Sequence, residues 1–566
     1  MKSLAKLLAL ALIFSFITLS AVAKTKKRVQ MPEIIVEHFA YQGQDDYYSN
    51  TKLPTSSSIF NPILPGFYSD PSICRVDSDY YLVTSTFCYY PGVPIFHSRD
   101  LVNWKQIGNV LNRPSQLFGL KGQPLGTGGI YAPHISYNPK NKLFYMITTD
   151  VGRGHFYVTT SDPQQNIWSD PVWLPEIDGI DPSFFFDEDG SAYIVHKEDV
   201  TGQPKWSNHR AIRIIRFNTE TGKTFGEDEK FREVGVGREE HLGRDEGPHL
   251  YKVDGKYYLI CAEGGTGMFH SEVVYKADSV MGPYTRWSRN PMLTQRELKP
   301  SRTNPITCTG HLDLVQTPQG KWYGVFLGVR PDKNGVESMG RETYLMPVKW
   351  SADGFPYVTQ EKDTIPLVLD VPGTTRGSEV IFGNVAFTDD FKQSQLRPEW
   401  MSLRGSIDSL CTIDKSGLTM KASNTTTMQK GTPAYLGHRI RNRKFETTMS
   451  LQLSLLHKAW GGLMIFKSET RQYFVATDGT TLRLLRIDKN NAETLAKADC
   501  TSASLEIKTV CNGASYAFYY RTAQLQDWTL LTDGIDAAYT SSVTGGFTGT
   551  TLGPCVMTKD AFGEIK

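Results

Sequence analysis

The chain has 566 residues, 40% hydrophobic and 21% charged, which suits two or three globular domains with sizeable cores. A net charge of +2 gives no electrostatic footprint for nucleic acid or an acidic polymer. The eight cysteines contain no Cys-x-x-Cys pair and no Cys/His cluster, which removes the common zinc patterns.

Residues 1–23 read as an export signal. Lys2 and Lys6 supply positive charge, Leu7 to Leu19 form an apolar run, and Ala21-Val22-Ala23 is a small-x-small cleavage site. The run is short for a membrane span. The expected mature chain therefore starts near Lys24, is periplasmic or secreted, and keeps no membrane span. Residues 24–58 are polar and irregular, and read as an N-terminal linker or arm packing on the main domain.

A repeated unit follows. Asp70-Pro71-Ser72-Ile73 leads through a polar turn into Tyr80-Tyr81-Leu82-Val83. Ala132-Pro133-His134-Ile135 leads into Leu143-Phe144-Tyr145-Met146, and Asp181-Pro182-Ser183-Phe184 into Ala192-Tyr193-Ile194-Val195. Glu246-Gly247-Pro248-His249-Leu250 passes through Asp254-Gly255 into Tyr257-Tyr258-Leu259-Ile260, and His311-Leu312-Asp313 leads into Trp322-Tyr323-Gly324-Val325. Asp-Gly between two apolar runs is a hairpin signal. Five copies at intervals of roughly 50–65 residues read as a five-bladed β-propeller over residues 59–352.

Propeller symmetry has a chemical consequence. The residues opening the five units are Asp70, Ala132, Asp181, Glu246 and His311. In phase, they converge at one mouth of the central channel, and three of them are carboxylates. Like charges so gathered raise one another's pKa unless cations or hydrogen bonds intervene. A lone Asp-Pro often just starts a strand after a turn, but three carboxylates in one phase point to a catalytic or binding site.

Residues 353–384, with Pro356, Pro366 and Pro372-Gly373, read as a connecting region. Residues 385–566 carry alternating strands such as Tyr473-Phe474-Val475-Ala476-Thr477. Gly461-Gly462 and Gly545-Gly546-Phe547-Thr548-Gly549 look like glycine-marked strand edges, and the whole is expected to be a β-sandwich. The fold class is thus all-β.

Several phrases carry a family resemblance. Phe67-Tyr68-Ser69-Asp70-Pro71-Ser72, Pro91-Gly92-Val93-Pro94-Ile95-Phe96, Gly179-Ile180-Asp181-Pro182-Ser183 and Glu246-Gly247-Pro248-His249-Leu250-Tyr251 resemble glycoside hydrolase family 43. The likeness is to its two-domain β-xylosidase and α-L-arabinofuranosidase type, where a concanavalin-like sandwich follows the propeller. The resemblance implies an inverting mechanism, with Asp70 as general base, Glu246 as general acid and Asp181 as the carboxylate that tunes and orients the acid. Inversion leaves room for a water between two carboxyls roughly 6.5–9.5 Å apart. The resemblance also places Phe87, Tyr131, His311 and Arg341 at the sugar. Tyr131 departs from the Trp frequent there. No cofactor is expected, and a structural calcium near His311 is the one metal the resemblance admits. The expected partner is a xylan- or arabinoxylan-derived glycan, and the expected activity is release of terminal β-D-xylose. Arabinofuranosidase activity is the alternative within the family, and a non-catalytic carbohydrate-binding propeller is the alternative outside it.

Overall fold

The structure, a computed structural model, describes residues 31–562 except 200–202, 204–209, 226–231, 235–244, 333, 455, 490 and 543–544. The expected export signal and its cleavage site lie outside the described residues. Among the described residues no helix is long and apolar enough to cross a membrane. The eight cysteines are unpaired.

Each repeated sequence unit folds as an antiparallel hairpin that begins a blade. The fourth shows why. Asp254 and Gly255 both take positive φ, 49° and 75°, as a type I′ turn demands of its two central residues. Val253 and Lys256 therefore pair directly across it. The first blade is built from Ser72–Val76, Asp79–Val83, Gly92–Ser98 and Lys105–Leu111. The second runs from Ile130–Asn138 through Leu143–Asp150 and Gly154–Thr160 to Val172–Trp173. The third opens with Ile180–Phe186, the fourth with Glu246–Val253 and the fifth with Thr307–Gln316. Apolar side chains fill the spaces between blades. Val83, Ile95, Ile130, Met146 and Trp168 form one such cluster between the first and second.

The ring closes by pairing its two ends. The fifth blade has three strands of its own, the outermost being Glu342–Pro347. Leu64, ahead of the first blade, bridges to Thr343 in that strand, with both backbone hydrogen bonds at 3.2 Å. Asn61 adds its side chain, donating to the Leu345 carbonyl at 2.8 Å and accepting from the Leu345 N–H at 3.1 Å.

The second domain is a sandwich of an eight-stranded and a six-stranded antiparallel sheet. One of its strands comes from the wrong end of the chain. Glu33–Gly43, expected to belong to a linker or arm on the propeller, lies inside the larger sheet between Gly417–Lys421 and Lys444–Ser454. The physical reason is its alternation. Ile34, Val36, Phe39 and Tyr41 point inward and are no more than 1% exposed, part of the main sandwich core. The segment is therefore an integral strand of the distal domain.

Phe39 anchors this strand, edge-on to Trp400 with ring centroids 4.9 Å apart. Replacing it with alanine leaves a cavity at a fully buried aromatic site. Phe39→Ala should cost about 3–5 kcal/mol, measured as a lower urea midpoint for the sandwich transition.

Candidate active site

The chain is irregular at the same place at the start of every blade. The residues there take left-handed backbone: Asp70 at φ 53°, Ala132 at 31°, Asp181 at 57°, Gly247 at 55° and His311 at 53°. Pairing registers of blades two to five shift at these points. A bulge re-aims a side chain away from the pleat's ordinary alternation, and here it turns residues toward the channel mouth.

This corrects the phase expected from sequence. The fourth-blade residue in register with Asp70, Asp181 and His311 is Gly247; Glu246 stands one position earlier, level with Ser69, Tyr131, Ile180 and Gly310. Only glycine fits at 247. Its φ is left-handed, and a Cβ there would lie 2.8 Å from the His311 ring. Glu246 still reaches the same pocket, from its own register position.

The pocket is lined by Asp70, Phe87, Tyr131, Ala132, Ile180, Asp181, Glu246, Thr266, His270, His311, Arg341 and Phe547. All seven residues expected from sequence meet here. The space is about 110 Å³, well below the ~300–1,000 Å³ of clefts that hold drug-sized ligands.

The carboxylates sit in different electrostatic settings. Asp70 is 6% exposed. One oxygen accepts from Arg341 Nη1 at 3.1 Å, and the other accepts from Ser85 Oγ at 2.6 Å and Ser69 Oγ at 3.1 Å. Burial pushes its pKa up, but Arg341, His311 and the two hydroxyls outweigh that and hold it below the usual carboxylate value. Asp181, 7% exposed, goes the other way. Burial and the negative charges of Glu246 and then Asp70 raise its pKa well above the ordinary value. The Gly247 N–H donates to Asp181 Oδ2 at 3.1 Å, linking the third blade to the fourth beside Glu246.

Arg341 is 8% exposed and does not pair with its neighbour Glu342, which takes Arg330 instead at 2.6 Å. Its guanidinium lies 5.3 Å from the Phe547 ring centroid and 5.8 Å from that of Phe87. His311 is 3.8 Å from Asp70. Burial drives its pKa down to about 4, so the ring is neutral at ordinary pH.

Phe547 is a pocket residue that sequence reasoning missed. Its segment was expected to be a strand edge of the sandwich. It is instead an irregular loop that crosses to the propeller, where the Phe547 N–H donates to the Gly126 carbonyl at 3.0 Å. The ring packs 5.9 Å from Phe87 and 5.8 Å from Tyr131. The run of glycines around it was the available signal: a Cβ at Gly549 would meet the Met339 carbonyl oxygen at 2.2 Å. His270, with Nδ1 3.0 Å from the Cys308 carbonyl, was also missed.

The side chains do not fit a protein-built calcium site. Calcium takes 6–8 oxygen ligands. His311 offers one imidazole, and Asp70 beside it is already engaged by Arg341 and two serines. Deeper in the channel, ligand atoms of His134, His249 and Asp313 lie within 4.8 Å of one another. Two are imidazoles, and Asp313 already accepts from Ser72, Tyr251 and the Ile73 and Leu314 amides.

A small pocket with three carboxylates in split environments on a five-bladed propeller defines a glycoside-cleaving class of protein. The comparisons specify it. The family model for glycosyl hydrolases family 43 matches residues 59–356, and that for the β-xylosidase C-terminal concanavalin A-like domain matches 388–563. A non-reducing-end α-L-arabinofuranosidase of Bacteroides ovatus is 34% identical over 87% of this chain and 90% of its own. A xylosidase/arabinosidase of Butyrivibrio fibrisolvens is 35% identical over 87% and 94%. The crystal structure of a GH43_12 protein from a capybara gut metagenome superposes with a TM-score of 0.85 at 36% identity, covering 94% of this chain and 100% of that one. That of a xylan β-1,4-xylosidase from Bacillus halodurans C-125 gives 0.78 at 29% identity, covering 89% and 97%. The chain belongs to glycoside hydrolase family 43.

Removing the cation beside Asp70 leaves burial less opposed, so its pKa rises. Arg341→Gln should move the acid limb of the pH–activity profile up by about 1–3 units, in addition to lowering activity. A limb that stays in place would show that Arg341 does not set the charge state of Asp70.

Proposed function

We propose that the protein is an exo-acting, inverting glycosidase that releases terminal β-D-xylose from xylo-oligosaccharides. The observation that carries the reading is one small pocket holding Asp70, whose pKa is held below the usual carboxylate value, with Asp181, whose pKa burial and the charge of Glu246 drive well above it. Inverting hydrolysis needs one group of each kind.

Asp70 is the general base. Held anionic by Arg341, it takes a proton from water as the water's oxygen bonds to the anomeric carbon. Glu246 is the general acid and gives its proton to the departing glycosidic oxygen as that C–O bond breaks. Asp181 and Glu246 together retain a proton to higher pH than either would alone. The Gly247 N–H on Asp181 opposes the rise on Asp181 and so favours the arrangement with the shared proton on Glu246. Arg341, with two aromatic rings beside it, is available to sugar hydroxyls. Phe87, Tyr131 and Phe547 form the walls, and a neutral His311 contributes an edge without adding charge. These side chains and water suffice for the reaction.

The pocket's size supports exo action, since it suits a terminal ring rather than a continuous chain. The xylosidase names among the relatives, and the description of the C-terminal domain, favour xylose. The arabinofuranosidase name of the Bacteroides ovatus relative supports α-L-arabinofuranosidase as a second activity, because both sugars are pentoses. A pure binding propeller has no use for carboxyls whose pKa values are driven in opposite directions. The N-terminal lysines, apolar run and Ala-Val-Ala support export, and N-terminal sequencing of protein recovered outside the cytoplasm should begin near Lys24.

Hydrolysis of xylobiose, p-nitrophenyl β-D-xylopyranoside and p-nitrophenyl α-L-arabinofuranoside tests the reading. Wild type should release xylose, and Glu246→Gln should lower xylobiose turnover by about 10²–10⁴-fold. Arabinose release alone would transfer the reading to the second activity. No release from any of them by folded protein would reject both.

A further inference from the structure

Directly behind Glu246 lies an acidic residue that the mechanism above does not use. Asp245 immediately precedes the strand that Glu246 opens. Glu246 faces the pocket, and Asp245 points back into the fourth blade, where it is 1% exposed. Such a carboxylate normally requires a cation or a full set of donors. Among the described residues Asp245 has one donor: Tyr275 Oη gives a hydrogen bond to Oδ2 at 3.3 Å. Its Oδ1 has no partner among the described residues.

The cation of this cluster is committed elsewhere. Arg286 donates to both oxygens of Glu263, at 3.1 and 3.3 Å, and to the Tyr275 hydroxyl at 2.8 Å. Glu263 is 1% exposed and Glu272 is 0% exposed. Glu272 spends one oxygen on the Leu312 N–H at 3.0 Å. Among the described residues Glu263 and Asp245 thus share one guanidinium, and Asp245 is the one next to Glu246.

The structure assigns Asp245 a positioning role for Glu246: a buried carboxyl behind the acid, supplying negative charge from inside the blade while Asp181 supplies it from the neighbouring blade. The assignment rests on the reading of Glu246 as the general acid. Among the described residues the groups that face Asp245 are Cys261 and Glu263 on one strand, Glu272 and Tyr275 on the next, Arg286 beyond them, and its chain neighbour Glu246. Burial, then Glu263, push the Asp245 pKa up to about 7, with Glu246 adding to the rise and Arg286 and Tyr275 opposing it.

The sign of the effect follows. Glu246 works protonated, so activity falls as pH rises through its pKa. Asp245 gains charge near neutrality, and a negative neighbour holds the Glu246 proton to higher pH. Removing that charge brings the alkaline limb down.

The experiment is kcat/KM against pH on xylobiose, whose poor leaving group makes acid catalysis count, for the full chain, Asp245→Asn, Tyr275→Phe and Glu246→Gln. Asp245→Asn should lower the alkaline limb by roughly half to one pH unit, the scale of one charge acting through a protein interior, and leave the acid limb in place. Tyr275→Phe removes the hydroxyl that favours charged Asp245 and should move the same limb the same way. It carries the test if Asp245→Asn does not fold. A uniform loss at every pH with the limb unmoved would mean that Asp245 only packs the blade, and overturns the role. Xylobiose turnover retained by Glu246→Gln would overturn the acid assignment and the Asp245 role with it. Turnover lost in Glu246→Gln with an unmoved limb in Asp245→Asn would overturn the Asp245 role alone.

Discussion

Two residues beyond each left-handed position, a polar side chain ties one blade to the next. Ser72 Oγ donates to Asp313 Oδ2 at 2.7 Å, joining the first blade to the fifth, and accepts from the Ile135 N–H at 3.0 Å, joining it to the second. His134 Nδ1 accepts from the Phe184 N–H at 3.3 Å, Ser183 Oγ donates to the Pro248 carbonyl at 2.6 Å, and His249 Nδ1 bonds the Leu312 carbonyl at 3.1 Å. The circle is complete. Each bond nets about 0.5–1.5 kcal/mol, but an orphaned buried partner costs about 1–3 kcal/mol, so the girdle holds as a unit. Burial keeps both histidines neutral, with His134 driven to about 3. The pocket residues stand on this ring, and their spacing depends on it.

The sandwich grips the propeller where it matters for the pocket. Arg439 Nε donates to the Phe67 carbonyl at 3.0 Å and Arg441 Nε to the Pro65 carbonyl at 3.1 Å, fixing the segment that leads to Asp70. The loop bearing Phe547 is held by Ser542 on Glu337, Thr550 on Ser338, and buried Lys467 on the Thr548 carbonyl. Burial lowers the Lys467 pKa to about 8. Both Asp70 and one aromatic wall are thus positioned across the domain boundary.

Much of this was legible in sequence because the repeat marks it. The Asp-Pro and His-Leu openings announce hairpins, and their phase brings together residues more than a hundred positions apart. Glu246 was assigned to the right pocket in the wrong register. A carboxylate was the visible cue, whereas the phase is set by the backbone angle at Gly247. Phe547 was illegible as a wall residue, since nothing local says that a glycine-rich loop crosses to another domain. The strand Glu33–Gly43 did carry its own signal in alternating apolar residues, but its partners lie some 400 residues on, beyond any local pattern.

That strand gives the chain a biography as well as a shape. Its neighbours Gly417–Lys421 and Lys444–Ser454 are synthesised long after it. At about 5–20 residues per second, an apolar strand with unpaired edges waits roughly 20–80 s while the whole propeller forms between it and its partner. Unpaired strand edges invite wrong pairings. The same topology makes the two domains inseparable by a single cut. A propeller expressed with its natural N-terminus carries an orphan strand, and a sandwich expressed from residue 385 lacks a strand from the middle of its larger sheet.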